Sequence, residues 1–403
     1  LEITVVMLIG IVGKPNCGKS TFFKASTLAN VLIANYPFAT IKPNHGCGFV
    51  RIDCVDKFFN TQCNPRVGYC IDHQRFVAID LLDVAGLVPG AHEGLGMGNA
   101  FLDDLRQADV LIHVIDCAGS TNEKGEPVEP GSYNPSEDIK FLEIEIDEWY
   151  LGILKKGWDK FARQVNQEHK ELYKEIAKQF SGLKATEEMI KGIIEKLKLE
   201  KDNAVKWTED DLKNFTKELR KTTKPMIIAA NKMDIPVADE NLKRLQKEFP
   251  EYVIVPCSAE SELALKEAAK KEMIKYIPGN NNFEIIGQLT EQQKNALEFI
   301  RKNILEKFGS TGAQAVLNKA VFDILKYIPI FPGGVSKLTD QYGRVLPDCF
   351  LLPEKSTALD FAFKIHTDLG ESFIRAIDVK TKRTVGKEHL LKYGDVVEII
   401  SGK

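Results

Sequence analysis

The chain has 403 residues, 44% of them hydrophobic and 28% charged, and a formal net charge of −3. It reads as a soluble, globular protein of two or three domains, without the global basic field that would argue for nucleic acid. No apolar run reaches the roughly 20 residues that span a bilayer, so a cytoplasmic location without a membrane partner is expected.

The apolar start lacks a basic n-region and runs directly into the first motif, which must stay attached, so it is not read as a secretory leader. Leu1 is an unusual first residue and Met7 sits just before the first strand, so residues 1–6 read as an upstream extension. The apolar run Leu8-Ile9-Gly10-Ile11-Val12 predicts a strand, and Thr21–Leu28 is helix-compatible. Between them lies Gly13-Lys14-Pro15-Asn16-Cys17-Gly18-Lys19-Ser20, which satisfies G-x-x-x-x-G-K-[ST] in the strand–loop–helix context that gives the pattern meaning. A chain of this length meets the pattern by accident roughly one time in a hundred. Backbone N–H groups of Asn16 to Thr21 and the helix N-terminus are the expected phosphate cradle. Lys19 is assigned to the β- and γ-phosphates, and Ser20 to Mg²⁺.

Residues 34–44, with two prolines and two asparagines among them, predict an irregular loop. Thr40 in it is the candidate Mg²⁺ ligand and γ-phosphate sensor, with Thr21 and Thr27 as alternatives. Strands are predicted over 47–55 and 67–82. Cys54, Cys63, Cys70 and His73 lie close together there and could close a zinc site. Their spacings match no common zinc module, and the chain's eight cysteines include no C-x-x-C, so ordinary reduced thiols are the expectation.

The second strand ends in Asp83-Val84-Ala85-Gly86. D-x-x-G is common alone, but after a buried-type strand and downstream of a phosphate loop it is specific. Asp83 is expected to hold Mg²⁺ through water, and the Gly86 N–H to bond the γ-phosphate. Residues 87–99 are glycine-rich, which suits a switch loop. Val110–Asp116 predicts a central parallel strand, and His113 within it reads as a core histidine rather than a catalytic one.

Helical periodicity takes over from about Phe141: Trp158 to Phe180, then Ile190 to Leu197, then a capping box at Thr208–Asp211 opening a third run. Residues 150–221 hold 17 Lys+Arg against 13 Asp+Glu, which favours a solvated face over an RNA-binding one. The strand Pro225–Ala230 then leads into Asn231-Lys232-Met233-Asp234, and Tyr252–Pro256 into Cys257-Ser258-Ala259-Glu260. N-K-x-D and S-A at strand ends are guanine-reading loops. The Asp234 carboxylate can accept both N1–H and the 2-amino group of guanine, which adenine lacks; such polar sites discriminate by roughly 10⁴ or more. Asn231 and Lys232 would brace the base and phosphate loop, and the Ala259 N–H would read the carbonyl. A capping box at Thr290–Gln293 opens a helix to about Phe308. Pro329, Pro332, Gly333 and Gly334 predict a linker, and the last 65 or so residues a compact α+β module.

The phosphate loop, Asn35–Thr40, Asp83–Ala91 and Asn231–Asp234 together resemble an Obg-family GTPase. The helical insertion resembles its YchF-like branch, and Thr357–Gly370 with Gly394–Glu398 is similar to a TGS domain. The resemblance implies an α/β P-loop GTPase domain with a mostly parallel sheet (7–140 and 223–330), an inserted helical subdomain (141–222), and a β-grasp, ubiquitin-like TGS domain (337–403). It implies a monomeric, Mg²⁺-dependent GTPase acting as a translation-associated switch, with the TGS and helical parts touching the ribosome or RNA. Some YchF-like members lack the guanine-reading aspartate and use ATP, whereas Asp234 is present here. Leu87 stands where Ras-like GTPases carry the water-positioning glutamine, so unaided hydrolysis should be slow. The resemblance points to Asn16 as support for a bound K⁺; a partner-supplied group, then His92 or His113, are the alternatives. An ATPase of the same fold, and a nucleotide-stabilised scaffold with little hydrolysis, are the rival functions.

Overall fold

The computed structural model describes residues 7–28, 44–84 and 104–402. The chain divides into two compact units. One comprises Leu8–Phe22 and Leu82–Cys257; the other comprises Leu1–Met7, Phe23–Leu81 and Ser258–Lys403.

The first unit is built on β1 (Leu8–Val12), which leads through the phosphate loop into α1 (Lys19–Thr27). Labels β2 (His45–Asp53), β3 (Tyr69–Ile71) and β4 (Gln74–Asp83) fall to strands of the other unit, although the last residues of β4 belong here. β5 (Val110–Asp116), β6 (Met226–Asn231) and β7 (Val253–Pro256) follow. β1, β5, β6 and β7 lie side by side in that order and are all parallel. Every residue of β1, β5 and β6 is buried. That is why these strands read as unbroken apolar runs rather than alternating ones.

Five α-helices lie between β5 and β6: α2 (Ser136–Lys155), α3 (Trp158–Gln167), α4 (Leu172–Gln179), α5 (Glu187–Lys196) and α6 (Glu209–Thr223). The run expected from Trp158 to Phe180 is broken in two. The polar stretch 166–171 offers no apolar face, and His169 takes a left-handed φ of 51°. Thr208 and Asp211 form the expected capping box. The helices do not fold around a core of their own. One apolar cluster runs from Leu8, Val12 and Leu111 at the sheet through Leu142 and Tyr150 to Trp158, Trp207 and Phe215. The boundary expected at residue 141 therefore falls inside α2, which serves sheet and insertion alike. α7 (Ala238–Glu248) connects β6 to β7.

In the second unit the strand expected over 67–82 is a hairpin. β3 and β4 pair antiparallel across Asp72 and His73, both left-handed at φ 49° and 61°, the signature of a two-residue type I′ turn. α8 (Ala259–Lys270), α9 (Glu291–Ile300) and α10 (Ala313–Asn318) follow, with β8 (Ile274–Lys275) and β9 (Glu284–Ile285) forming a short hairpin between α8 and α9. Thr290 and Gln293 complete the other expected capping box.

The C-terminal module is a five-stranded sheet in the order β11-β10-β14-β12-β13. Its strands are β10 (Tyr327–Pro332), β11 (Phe350–Pro353), β12 (Phe373–Asp378), β13 (Arg383–Val385) and β14 (Val396–Ser401). α11 (Ala358–Ile365) supplies Phe361 and Ala362, both fully buried. This is the expected β-grasp. The linker predicted from Pro329 to Gly334 is instead largely strand: β10 pairs antiparallel with β11 and parallel with β14. Pro329 is tolerated because its carbonyl is the group in use, accepting the Gly394 N–H at 2.9 Å. The first strand of this sheet thus begins at Tyr327, ahead of the bound expected at 337. No helix among the described residues is long and apolar enough to cross a membrane.

Candidate functional site

The phosphate loop leaves β1 and is held open by the segment that follows β5. Lys14, only 4% exposed, turns away from the loop. Its ammonium bonds the Thr121 carbonyl at 2.9 Å, pairs with Asp138 at 2.9 Å and lies 3.9 Å from the Tyr133 ring centre. Asn16 has a left-handed φ of 58° and donates through Nδ2 to the Gly125 carbonyl at 2.9 Å. A Cβ on Gly125 would sit 2.5 Å from the Pro15 carbonyl oxygen, so only glycine lets the two backbones meet there. Residues 117–138 therefore clamp the loop from Lys14 to Asn16. Nothing in the loop motif announces this clamp.

Cys17 is fully buried, and burial pushes its thiol up to about 12. It is inert as an acid and offers its backbone instead. Its carbonyl accepts from Asn231 Nδ2 at 3.0 Å. Gly18 sits at φ +95°, and a Cβ there would be 2.1 Å from that same nitrogen. The N-K-x-D loop and the phosphate loop are thus stitched together at Cys17–Gly18.

Lys19 and Asp83 meet at 2.5 Å, both largely buried. The end of β4 reaches the loop because the Val84 N–H donates to the Ile11 carbonyl at 3.0 Å. An ammonium and a carboxylate are brought to one point, with Ser20 exposed and Thr21 half-buried at the adjoining start of α1. These donors fit a phosphate–Mg²⁺ pair: a cation, an acidic oxygen and a free-standing hydroxyl beside a helix N-terminus. Thr27 donates to the Phe23 carbonyl at 2.9 Å, an ordinary helix back-bond.

Lys232 has a left-handed φ of 65° and sends its ammonium to Asp116 Oδ2 and Ser120 Oγ, each at 3.0 Å. Asp116 is fully buried. It also accepts from the Ala118 and Ser120 N–H groups and from the Ser120 and Thr121 hydroxyls, at 2.7–3.1 Å. Sequence reasoning saw Asp116 only as a strand end; the available signal was an acidic residue closing a fully apolar strand with Ser120-Thr121 just beyond. Asp234 is half-buried two residues further on, in a turn closed by the Ile235 N–H on the Lys232 carbonyl.

In the other unit, Ser258 caps α8. Its hydroxyl lies 2.8 Å from that of Ser261 and accepts the Ser261 N–H. Ala259 is fully buried, and Glu260 is exposed. Thr40, Gly86, Leu87 and His92 lie outside the described residues.

His113 is buried in β5 at 2% exposure. Burial, with Lys14 nearby, pulls its pKa down to about 3, so the ring is neutral. Asp138 moves the other way, up to about 6; burial outweighs the opposing pull of Lys14.

Three family models match the chain: a 50S ribosome-binding GTPase over 8–148, the G4 motif-containing domain of YGR210-like Obg-like GTPases over 229–334, and a TGS domain over 340–401. A GTP-binding protein of Methanocaldococcus jannaschii is 50% identical over 98% of this chain and 99% of its own length. The ribosome-binding ATPase YchF of Bacillus subtilis is 27% identical over 98% of both. Among solved structures, a GTP-binding protein from Pyrococcus horikoshii OT3 matches with a TM-score of 0.78 and 41% identity, covering 98% of this chain and all of that one.

Proposed function

The chain belongs to the Obg family of P-loop GTPases, in the YchF-like branch that ends in a TGS domain, and on that premise we propose that it hydrolyses GTP as a ribosome-associated switch. The observation that carries the reading is the bond between Asn231 and Cys17. It couples the loop bearing Asp234 to the phosphate cradle, so a base read by that carboxylate and a phosphate chain held by Lys19 belong to one nucleotide. Guanine is favoured because Asp234 has two N–H partners on guanine and none on adenine.

Ser20 and Asp83 would hold Mg²⁺, with Thr40 as the further candidate; the metal offsets charge on the β- and γ-phosphates. Gly86 is the proposed sensor of the γ-phosphate. Leu87 cannot orient water, so the intrinsic rate is slow, and Asn16 is proposed to support a K⁺ that supplies the missing positive charge. The ribosome is proposed as partner because the B. subtilis relative is named for binding it and a model named for the 50S particle matches 8–148. The TGS module and helical insertion are the surfaces assigned to it.

The name of that relative also favours a second reading, adenine nucleotide hydrolysis. Competition of GTP and ATP for a fluorescent guanine nucleotide, with turnover of each measured in K⁺ with and without ribosomes, separates the two. GTP should compete and turn over, and Asp234→Asn should weaken it by roughly 10²-fold or more while leaving ATP unchanged. Preferential ATP turnover, indifferent to Asp234→Asn, would overturn the guanine reading.

A further inference from the structure

We propose that Cys54, Asp56, Cys63 and Cys70 form a structural zinc site that fixes the seat of the C-terminal module. One ligand atom from each converges on a common point, all within 4.8 Å of one another, and Cys54, Asp56 and Cys63 are buried. The Cys54 and Cys63 sulfurs are 3.4 Å apart, and the Cys70 sulfur is 3.8 Å from Asp56 Oδ2. Tetrahedral zinc, with Zn–S of about 2.3 Å and Zn–O of about 2.0–2.2 Å, separates its ligands by about 3.5–3.8 Å. Two of the six donor separations already match such edges, and the other four lie within 4.8 Å.

The backbone explains the convergence. Cys54 and Asp56 sit at the start and within a single 3₁₀ turn, Val55–Lys57. The chain then doubles back, so that the Cys63 N–H donates to Asp56 Oδ2 at 2.9 Å. Cys70 arrives on β3, and the β3–β4 turn returns to bond the Cys54 N–H through the His73 carbonyl at 2.8 Å. His73 was the fourth ligand suggested by sequence, but its Nδ1 faces Asp56 Oδ1 at 2.8 Å. It orients the carboxylate from outside, as partners of metal ligands commonly do.

Charge favours a divalent metal here. A fully buried carboxylate beside three thiols is costly unless a cation compensates it. Fully buried Arg75 adds one positive charge, with Nη1 at 3.5 Å from Cys63 Sγ. Three thiolates select zinc over hard cations such as Mg²⁺ or Ca²⁺. A Cys54–Cys63 disulfide would account for one pair and leave the Cys70 thiol beside Asp56 unexplained.

The same segment holds the C-terminal module. The Asn64 N–H bonds the Val345 carbonyl at 2.8 Å, and the Arg66 N–H bonds Pro347 at 2.9 Å. The Arg66 side chain pairs with Asp348 at 2.8 Å. Arg75 donates to the Leu346 and Pro347 carbonyls, both at 2.9 Å. Loop 57–68 has little regular structure of its own, so the metal is what sets the register of these contacts.

The test is metal analysis of the full-length protein, purified under reducing conditions without chelator, followed by zinc removal and Co²⁺ titration. One zinc per chain is expected, and Co²⁺ should give the thiolate charge-transfer and tetrahedral d–d bands. Cys63→Ser and Cys70→Ser should lose the metal, His73→Ala should weaken it roughly 10- to 100-fold, and Cys47→Ser should keep it. Because the cysteine variants could fail to fold, hydrogen exchange on the wild-type chain is the second readout: stripping zinc should deprotect the Asn64 and Arg66 amides, and restoring it should protect them again. Zinc well below one per chain with no cobalt thiolate band would overturn the proposal. So would a Cys54–Cys63 disulfide in the freshly isolated protein, or exchange at Asn64 and Arg66 that ignores the metal.

Discussion

The side-chain nitrogen of Asn231 bonds the Cys17 carbonyl at 3.0 Å and occupies the space a Cβ on Gly18 would need, 2.1 Å away. One amide therefore determines both the position of the N-K-x-D loop and the identity of a phosphate-loop residue. Removing a buried bond of this kind costs about 1–3 kcal/mol, or roughly 5- to 150-fold in affinity. Asn231→Ala should weaken GDP binding by that factor. Gly18→Ala should do at least as much, because it also forces a side chain into φ +95°. Titration with a fluorescent GDP analogue measures both, and an Asn231→Ala affinity within twofold of wild type would show that the stitch is dispensable.

The parts of the site legible in the sequence are those whose chemistry is local: a glycine-rich turn before a helix, D-x-x-G at a strand end, N-K-x-D after another. Each needs only its neighbours to be recognised. Lys14 and Gly125 were not legible because their partners lie about a hundred residues away, and the same holds for the Asp116 bond to Lys232. The hairpin at Asp72–His73 was missed for a different reason. Neither residue is glycine, so the two left-handed positions gave no turn signal. That hairpin decides that His73 faces Asp56 instead of joining the cysteines. Likewise Pro329 and Pro332 read as linker residues because proline lacks the N–H a strand normally donates, whereas at Pro329 the carbonyl does the pairing.

His113 and Asp138 make opposite contributions to the pH dependence of stability. The folded pKa of His113 lies near 3, below the ordinary 6.5. Its contribution is full above pH 6.5 and is lost as pH falls toward 3, since only the unfolded chain takes the proton. Asp138 is raised from 3.8 to about 6 by burial. Its contribution is greatest below pH 3.8 and falls as pH rises to 6. Lys14, Tyr133, Glu123, Glu137 and Lys140 line the same cavity. Between pH 4 and 6 the two slopes, each about 1.4 kcal/mol per pH unit at most, oppose each other. His113→Leu removes one slope, and the ring's Nδ1 has no protein partner among the described residues to lose. Urea midpoints should then rise on acidification from pH 6 to 4.5 relative to wild type, whereas Asp138→Asn should make them fall. Parallel profiles for all three proteins would refute the assignment.

Arg220 is the electrostatic anchor of the helical insertion. From α6 it bonds Asp147 at 2.8 Å and Glu143 at 3.1 Å on α2, and the Tyr252 hydroxyl at 3.1 Å before β7. The guanidinium is 2% exposed and its carboxylate partners about a fifth exposed, so the full penalty for breaking a buried pair is reduced by solvent. Arg220→Met should cost about 2–4 kcal/mol. Arg220→Lys should recover little, because an ammonium cannot span three acceptors in one plane. Nucleotide affinity should stay within twofold, since none of these groups touches the phosphate loop. An affinity that falls with stability would instead place the insertion in the binding equilibrium.

Asn16 is asked to do two things, and its geometry separates them. Nδ2 holds the Gly125 carbonyl at 2.9 Å, so Oδ1 is the end of the amide available to a cation. At constant ionic strength, replacing Na⁺ with K⁺ should raise GTP turnover roughly tenfold or more, short of the 10³–10⁵ that an arginine finger provides. Asn16→Ala should abolish that response by removing the oxygen. Asn16→Asp keeps an oxygen but loses the donor to Gly125, so it should retain K⁺ acceleration while binding nucleotide less tightly. The two variants thus divide the residue's roles between turnover and affinity. If K⁺ accelerates Asn16→Ala as much as wild type, the cation is held elsewhere; if K⁺ accelerates neither, the positive charge must come from a partner.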